Sequence, residues 1–225
     1  MGNCSSCHIR YQALEVLDTQ EMQLFEKGCT EVFFEAGDKI VAEGHPVTHV
    51  IYLKKGVLKV CLRNQQGRTT ILKLLPAGSF VGLHDVFTGH HHQCSAIALT
   101  CVSTCMIDRE VFLNLVRSNG AFSEGLLRYI SEEEVEYLFR FINLLEKQVP
   151  GRVAEILLYF SEKIFHSHTF PLPVTRTELG RMIGASRESV SRIMQEMQRE
   201  KIVLWKRQMM AILDTKKLSN IARTG

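Results

Sequence analysis

Between residues 30 and 110 the chain never runs far without a glycine. Gly37, Gly44, Gly56, Gly67, Gly78 and Gly82 cut three β-branched and aromatic runs, "EVFFEAGDKIVAEG", "HVIYLKKGVLKVCLRNQQGRTTILKLLPAGSFVG" and "CSAIALTCVSTCMID", into short pieces. Short strands bounded by turn residues at such spacing predict an antiparallel barrel or sandwich. From Arg109 the period changes. "SEGLLRYISEEEVEYLFRFINLLEKQV" sets Leu127, Ile130, Glu134, Tyr137, Phe141, Leu144 and Leu145 at steps of three, four and one, which predicts a long helix over 123–148 with an apolar stripe broken by one acid. Strands first and helices after give an α+β chain.

The stripe must be buried. A chain of 225 residues has little left to cover both the stripe and a β domain, so a second copy in a parallel coiled coil is the expected partner; packing on its own barrel is the alternative. The dimerisation residues are then Leu127, Ile130, Tyr137, Phe141 and Leu144.

Charge divides the chain in the same place. The formal net charge is only +3, too small to announce a nucleic-acid partner. Yet Arg152, Lys163, Arg176, Arg181, Arg187, Arg192, Arg199, Lys201, Lys206, Arg207, Lys216, Lys217 and Arg223 all follow Pro150, while acids gather earlier in Glu132-Glu133-Glu134-Val135-Glu136. A basic final third behind a nearly neutral front predicts a second domain able to face phosphate. No apolar run approaches the roughly 20 residues of a membrane helix, and the N-terminus lacks an export signal, so a cytoplasmic chain without a membrane partner is expected. The seven cysteines are then expected to be reduced.

Pro150 marks a break, after which "GRVAEILLYFSEKIF" resumes as an amphipathic helix. The stretch "VTRTELGRMIGASRESVSRIMQEMQREKIV" then predicts a short helix from Thr175, a turn at Gly184 and a second helix capped by Ser186. That is a helix-turn-helix. On its second helix Val190, Ile193, Met194 and Met197 share the core face, whereas Arg187, Glu188, Ser191 and Arg192 share the exposed one. Arginine can fork onto guanine O6 and N7, and glutamate can accept from cytosine N4, so this face suits the major groove. With Thr175, Arg176 and Ser186 these residues make up the candidate DNA-binding set.

The segment "TRTELGRMIGASRESVSRIMQEMQREKIV", together with "PAGSFVGLHDVFTGHHH" upstream, resembles the bacterial transcription regulators of the CRP/FNR family. The resemblance implies an N-terminal cyclic-nucleotide-binding-type β roll (jelly roll), a long dimerisation helix and a C-terminal winged helix-turn-helix, with "LWKRQMMAILD" as the wing. It divides the chain into a segment carrying a Cys-x-x-Cys pair (1–22), the sensory β roll (23–120), the helix (121–148) and the DNA-binding domain (149–225). It also implies a homodimer on a palindromic double-stranded operator, with RNA polymerase as a further partner and no enzymatic activity.

In the cyclic-AMP-binding branch of the family a Gly-Glu and an Arg-Ser pair hold the ribose and cyclic phosphate. Here those places carry Gly82-Leu83 and Cys94-Ser95. A buried phosphate without its arginine lacks the charge-assisted fork that offsets desolvation, so cyclic AMP is not expected in this sensory pocket. The oxygen-sensing branch is closer. Its iron–sulfur cluster ligands match Cys4, Cys7 and Cys105, but residues 9–26 contain no cysteine to match the remaining one; His8, Cys29 and Cys101 are candidates for that place.

The opening "MGNCSSCH" fits other chemistries too. Gly2 with Ser6 fits N-myristoylation, and Cys4, Cys7 and His8 fit covalent haem attachment, though the first belongs to eukaryotic cells and the second needs export. An exposed thiol pair without a redox task remains open, as does non-covalent haem in the β domain. His90-His91-His92 is expected to be a solvated turn, because adjacent histidines seldom converge on one ion. A different function class also stays open: a cyclic-nucleotide-binding module whose DNA binding is lost.

Overall fold

A computed structural model of the chain describes residues 12–64, 67 and 69–225. They form two compact units that divide after Val135.

The first unit opens with a 3-10 turn, Gln12–Val16, and helix α1, Thr19–Lys27. Asp18 starts α1 through a reciprocal capping box with Glu21. Eight strands follow: β1 Cys29–Phe34, β2 Lys39–Val41, β3 His49–Lys55, β4 Val57–Arg63, β5 Thr69–Pro76, β6 Phe80–Val81, β7 Ser95–Ala98 and β8 Val102–Asp108. A short helix, α2 Leu83–Thr88, interrupts them. They pair antiparallel as two four-stranded sheets, ordered β1-β8-β3-β6 and β2-β7-β4-β5. This is the β roll. All six glycines that punctuate the sequence adopt positive φ, so they mark turns as expected.

Strand β3 shows how period two builds the core. Ile51 and Leu53 point into a cluster with Leu58, Leu75, Ala96 and Ala98 of the other sheet. Val50 and Tyr52 point the opposite way, into a second cluster closed by Phe25, Phe112 and Phe122. A strand buried on both faces reads as a continuous apolar run, as "HVIYL" does. The helices of the second cluster are α1, α3 (Arg109–Ser118, capped by Asp108) and the first turns of α4, Gly120–Glu146. Phe80, Tyr52, Phe112 and Tyr129 meet there in tilted and edge-on ring pairs.

The second unit begins within α4. Helix α5, Val149–Tyr159, carries Pro150 in its first turn, where a missing N–H costs nothing, and runs into a π-helical segment, Phe160–Ile164. Then come β9 Thr169–Pro171, α6 Arg176–Met182, α7 Arg187–Arg199, β10 Val203–Lys206, β11 Met209–Ile212 and α8 Thr215–Thr224. The three strands form a sheet ordered β10-β11-β9. Its core holds Phe160, Phe170, Leu179, Ile202 and Met210, each almost fully buried.

Candidate nucleic-acid interface

Local chemistry places α6 and α7 one after the other. Thr175 caps α6: its hydroxyl accepts from the Glu178 N–H at 3.2 Å, and the Glu178 carboxylate accepts from the Thr175 N–H at 2.9 Å. The chain then turns sharply. A β-carbon on Gly180 would lie 2.6 Å from the Ala185 carbonyl oxygen, and Gly184 has φ +63°, so the turn needs glycine at both places. Arg152 of α5 braces it by donating to the Ile183 carbonyl at 2.8 Å. Ser186 starts α7, accepting from the Ser189 N–H at 3.0 Å.

Helix α7 divides as its sequence predicts. Val190, Ile193, Met194 and Met197 are buried, whereas Arg187, Glu188 and Arg192 are exposed and Ser191 is half-buried. Arg192 pairs with Glu196 one turn on, at 3.1 Å. An exposed pair of this kind contributes only about 0.3–0.5 kcal/mol, so it holds the guanidinium only weakly.

The wing adds what the sequence alone did not single out. β10 and β11 form a hairpin, with Arg207 at φ +53° in its turn. The Arg176 guanidinium lies 4.5 Å over the ring of Trp205, and the Trp205 indole N–H donates to the Arg207 carbonyl at 3.0 Å. Thr175, Arg176, Thr177, Arg187, Trp205 and Arg207 line one open pocket. Three of the expected DNA-binding residues, Thr175, Arg176 and Arg187, are therefore brought together; Ser186, Glu188, Ser191 and Arg192 run on along α7 outside the pocket. Thr177, Trp205 and Arg207 were missed. The available signal was one aromatic set among basic residues in "LWKRQ".

The β roll holds the expected sensory residues. Gly82 precedes α2 with φ +63°, and Leu83 is buried in the helix-side core. Ser95 accepts from the Glu43 N–H at 3.1 Å. Cys94 is half-buried, and burial, then the nearby Asp85 carboxylate, pushes its thiol above the usual range. The histidine turn corrects an expectation. His90 and His91 are exposed, but His92 is buried, with its Nδ1 3.1 Å from Oδ2 of Asp85. Asp85 is itself 2% exposed, accepts from the Gln93 N–H at 3.3 Å, and faces His84 at 3.2 Å. A buried carboxylate needs such partners, and it draws the third histidine out of solvent.

Cys4, Cys7 and His8 lie outside the described residues. Cys105 sits half-buried in β8, opposite Glu31 and Tyr52, and packs on the helix-side core. Cys29 is buried in that core, and the exposed Cys101 faces Glu35 at 3.0 Å. That contact, and then the Glu35 charge, pushes the Cys101 thiol up. Among the described residues no three His, Cys, Asp or Glu side chains are placed to hold a metal. The described donors do not by themselves fit an iron–sulfur cluster.

The apolar stripe of α4 is open. Leu127, Ile130, Tyr137, Phe141 and Leu144 are all exposed, by 36% to 65%. Strands β5 and β6 grip the same helix near its middle: Lys73 pairs with Glu133, and the Phe80 N–H donates to the Tyr129 hydroxyl at 3.0 Å.

Comparison with known proteins agrees with this geometry. Residues 31–119 match the cyclic nucleotide-binding domain and residues 151–221 the Crp-like helix-turn-helix domain. A CRP-like cAMP-activated global transcriptional regulator of Mycobacterium tuberculosis is 26% identical over 196 residues, covering 85% of this chain and 88% of that protein. The nitrogen fixation regulation protein FixK of Bradyrhizobium diazoefficiens is 27% identical over 205 residues, covering 87% and 84%. Among solved structures, FixK2 from Bradyrhizobium japonicum superposes with a TM-score of 0.76 at 21% identity, covering 86% of this chain and 96% of that one. A putative regulator of the crp/fnr family from Eubacterium rectale gives 0.78 at 18% identity, covering 95% and 99%. These relatives are transcription regulators rather than enzymes, and among the described residues no helix is long and apolar enough to cross a membrane. The chain belongs to the Crp/Fnr family of DNA-binding transcription regulators.

Proposed function

We propose that the protein is a cytoplasmic homodimer that binds a palindromic operator and couples a signal received by its β roll to transcription, with RNA polymerase as its partner at the promoter. The observation that carries the DNA-binding part is the α6–α7 pair: both helix starts are capped, the turn is braced by Arg152, and the face left outside is Arg187, Glu188, Ser191 and Arg192. An intact interface of this kind argues against a nucleotide-binding module that has lost DNA binding.

Dimerisation rests on α4, whose open stripe has the spacing of a two-stranded coiled coil. The route from signal to helix runs through the grip of β5 and β6 on Glu133 and Tyr129. The signal is a redox or gas cue rather than cyclic AMP. Relatives are named as cAMP-activated, but here the Leu83 side chain is committed to the core, and by the family resemblance the half-buried Cys94 stands where a phosphate requires a guanidinium.

The test is nuclease footprinting of the purified full chain on DNA carrying imperfect palindromes. Two protected half-sites about one helical turn apart support the proposal; uniform protection with no preferred site overturns it.

A further inference from the structure

The chain contains a single tryptophan, and it lies inside the DNA-facing pocket. Trp205 is tied to three elements at once. Its backbone N–H donates to the Gln198 side chain of α7 at 2.9 Å. Its indole N–H holds the Arg207 carbonyl in the wing turn at 3.0 Å. Its ring face carries the Arg176 guanidinium, from the first turn of α6, at 4.5 Å. An indole is the aromatic ring best suited to hold a cation in this way. Arg176 is exposed, and a free arginine side chain must give up rotamer entropy to fix its head against an anion. The stack lowers that cost before DNA arrives and keeps the guanidinium beside Arg187 and Arg207, whose side chains line the same pocket.

We propose that Trp205 is a positioning residue of the DNA interface: it couples the wing to the helix-turn-helix by holding Arg176 in place for a backbone phosphate. The proposal rests on the DNA-binding function proposed above. It predicts energetic coupling between residues 205 and 176, which a tryptophan that merely supports the wing fold would not show. The stack also makes intrinsic fluorescence a direct reporter, because all tryptophan emission comes from this pocket.

The experiment is a mutant cycle on the full chain, with Trp205→Leu, Arg176→Ala and the double variant, measured by fluorescence anisotropy on an end-labelled operator duplex over a salt series. Trp205→Leu is expected to weaken binding about two- to fivefold, the range of an exposed cation–π contact. It is expected to cost nothing further once Arg176 is gone, and Trp205→Phe, which keeps an aromatic face, should recover most of the loss. Without DNA, Arg176→Ala should make Trp205 more accessible to acrylamide quenching. Equal losses from Trp205→Leu with and without Arg176, no loss at all, or unchanged quenching would overturn the proposal. Wild-type protein that retains no operator preference would instead overturn the DNA-binding function itself, while the quenching arm still reads the stack.

Discussion

The stripe on α4 gives the largest effect that can be worked from single side chains. Phe141 is 58% and Leu144 40% exposed in one chain. Fully burying such a side chain contributes about 2.5 kcal/mol, so covering what is open contributes about 1.5 kcal/mol at Phe141 and about 1 kcal/mol at Leu144. In a two-fold dimer each contact is made by both chains, giving about 5 kcal/mol. Replacing both residues by glutamate removes this and sets like charges across the axis. Dimer affinity should fall by three to four orders of magnitude, at about 1.4 kcal/mol per factor of ten. Sedimentation velocity at micromolar concentration should show a dimer for wild type and a monomer for the variant. Because Leu144 also lies near Gly184, Leu127→Glu, 65% exposed at the other end of the stripe, serves as an independent variant. Wild type sedimenting as a monomer with and without DNA, or both variants remaining dimeric, refutes the reasoning.

Three further outcomes follow from the β roll. Asp85→Ala leaves the buried His92 ring without its carboxylate partner, so denaturant unfolding should show a loss of about 1–3 kcal/mol; a loss within about 0.5 kcal/mol, as at an ordinary surface site, would contradict the role given to that carboxylate. Lys54 at 2.8 Å, and then the Ser103 hydroxyl at 2.5 Å, hold Glu31 below the usual carboxylate range. A depressed acid adds stability that is full above its ordinary value of about 4.5 and fades as pH falls below it; Glu31→Gln should therefore be less stable than wild type at pH 7 and converge with it in acid, and a gap constant across that range argues against the pair. Calorimetry with cyclic AMP should detect no binding in the micromolar range, and micromolar or tighter affinity would reverse the argument from Leu83 and Cys94.

What was legible in the sequence was what rests on local chemistry. The helix-turn-helix could be read because a cap at Thr175, a glycine turn and a cap at Ser186 each leave a residue-type signature within a few positions. The six glycine breaks were equally local. What escaped was tertiary. Trp205 reads as a wing residue until the fold brings Arg176 beneath its ring. His92 reads as a solvated histidine until Asp85, seven residues earlier, is buried against it. Helix α1 carries a local signal of the same kind, the capping box of Asp18 with Glu21, but it is a single short helix with no apolar stripe or charge pattern to mark it out.

The central claim is that α7 reads DNA from a two-fold dimer. Binding selection from a pool of random duplexes, run with wild type, Arg187→Ala and Arg192→Ala, tests it most directly. Recognition helices meeting successive major grooves lie about 34 Å apart, so wild type should enrich an imperfect palindrome with half-sites one helical turn apart. Each arginine variant should lose preference at one base pair per half-site, at a cost of about 1–3 kcal/mol, and keep the rest. Enrichment of no palindrome by wild type, or full retention of its preference by both variants, would contradict the assignment of α7.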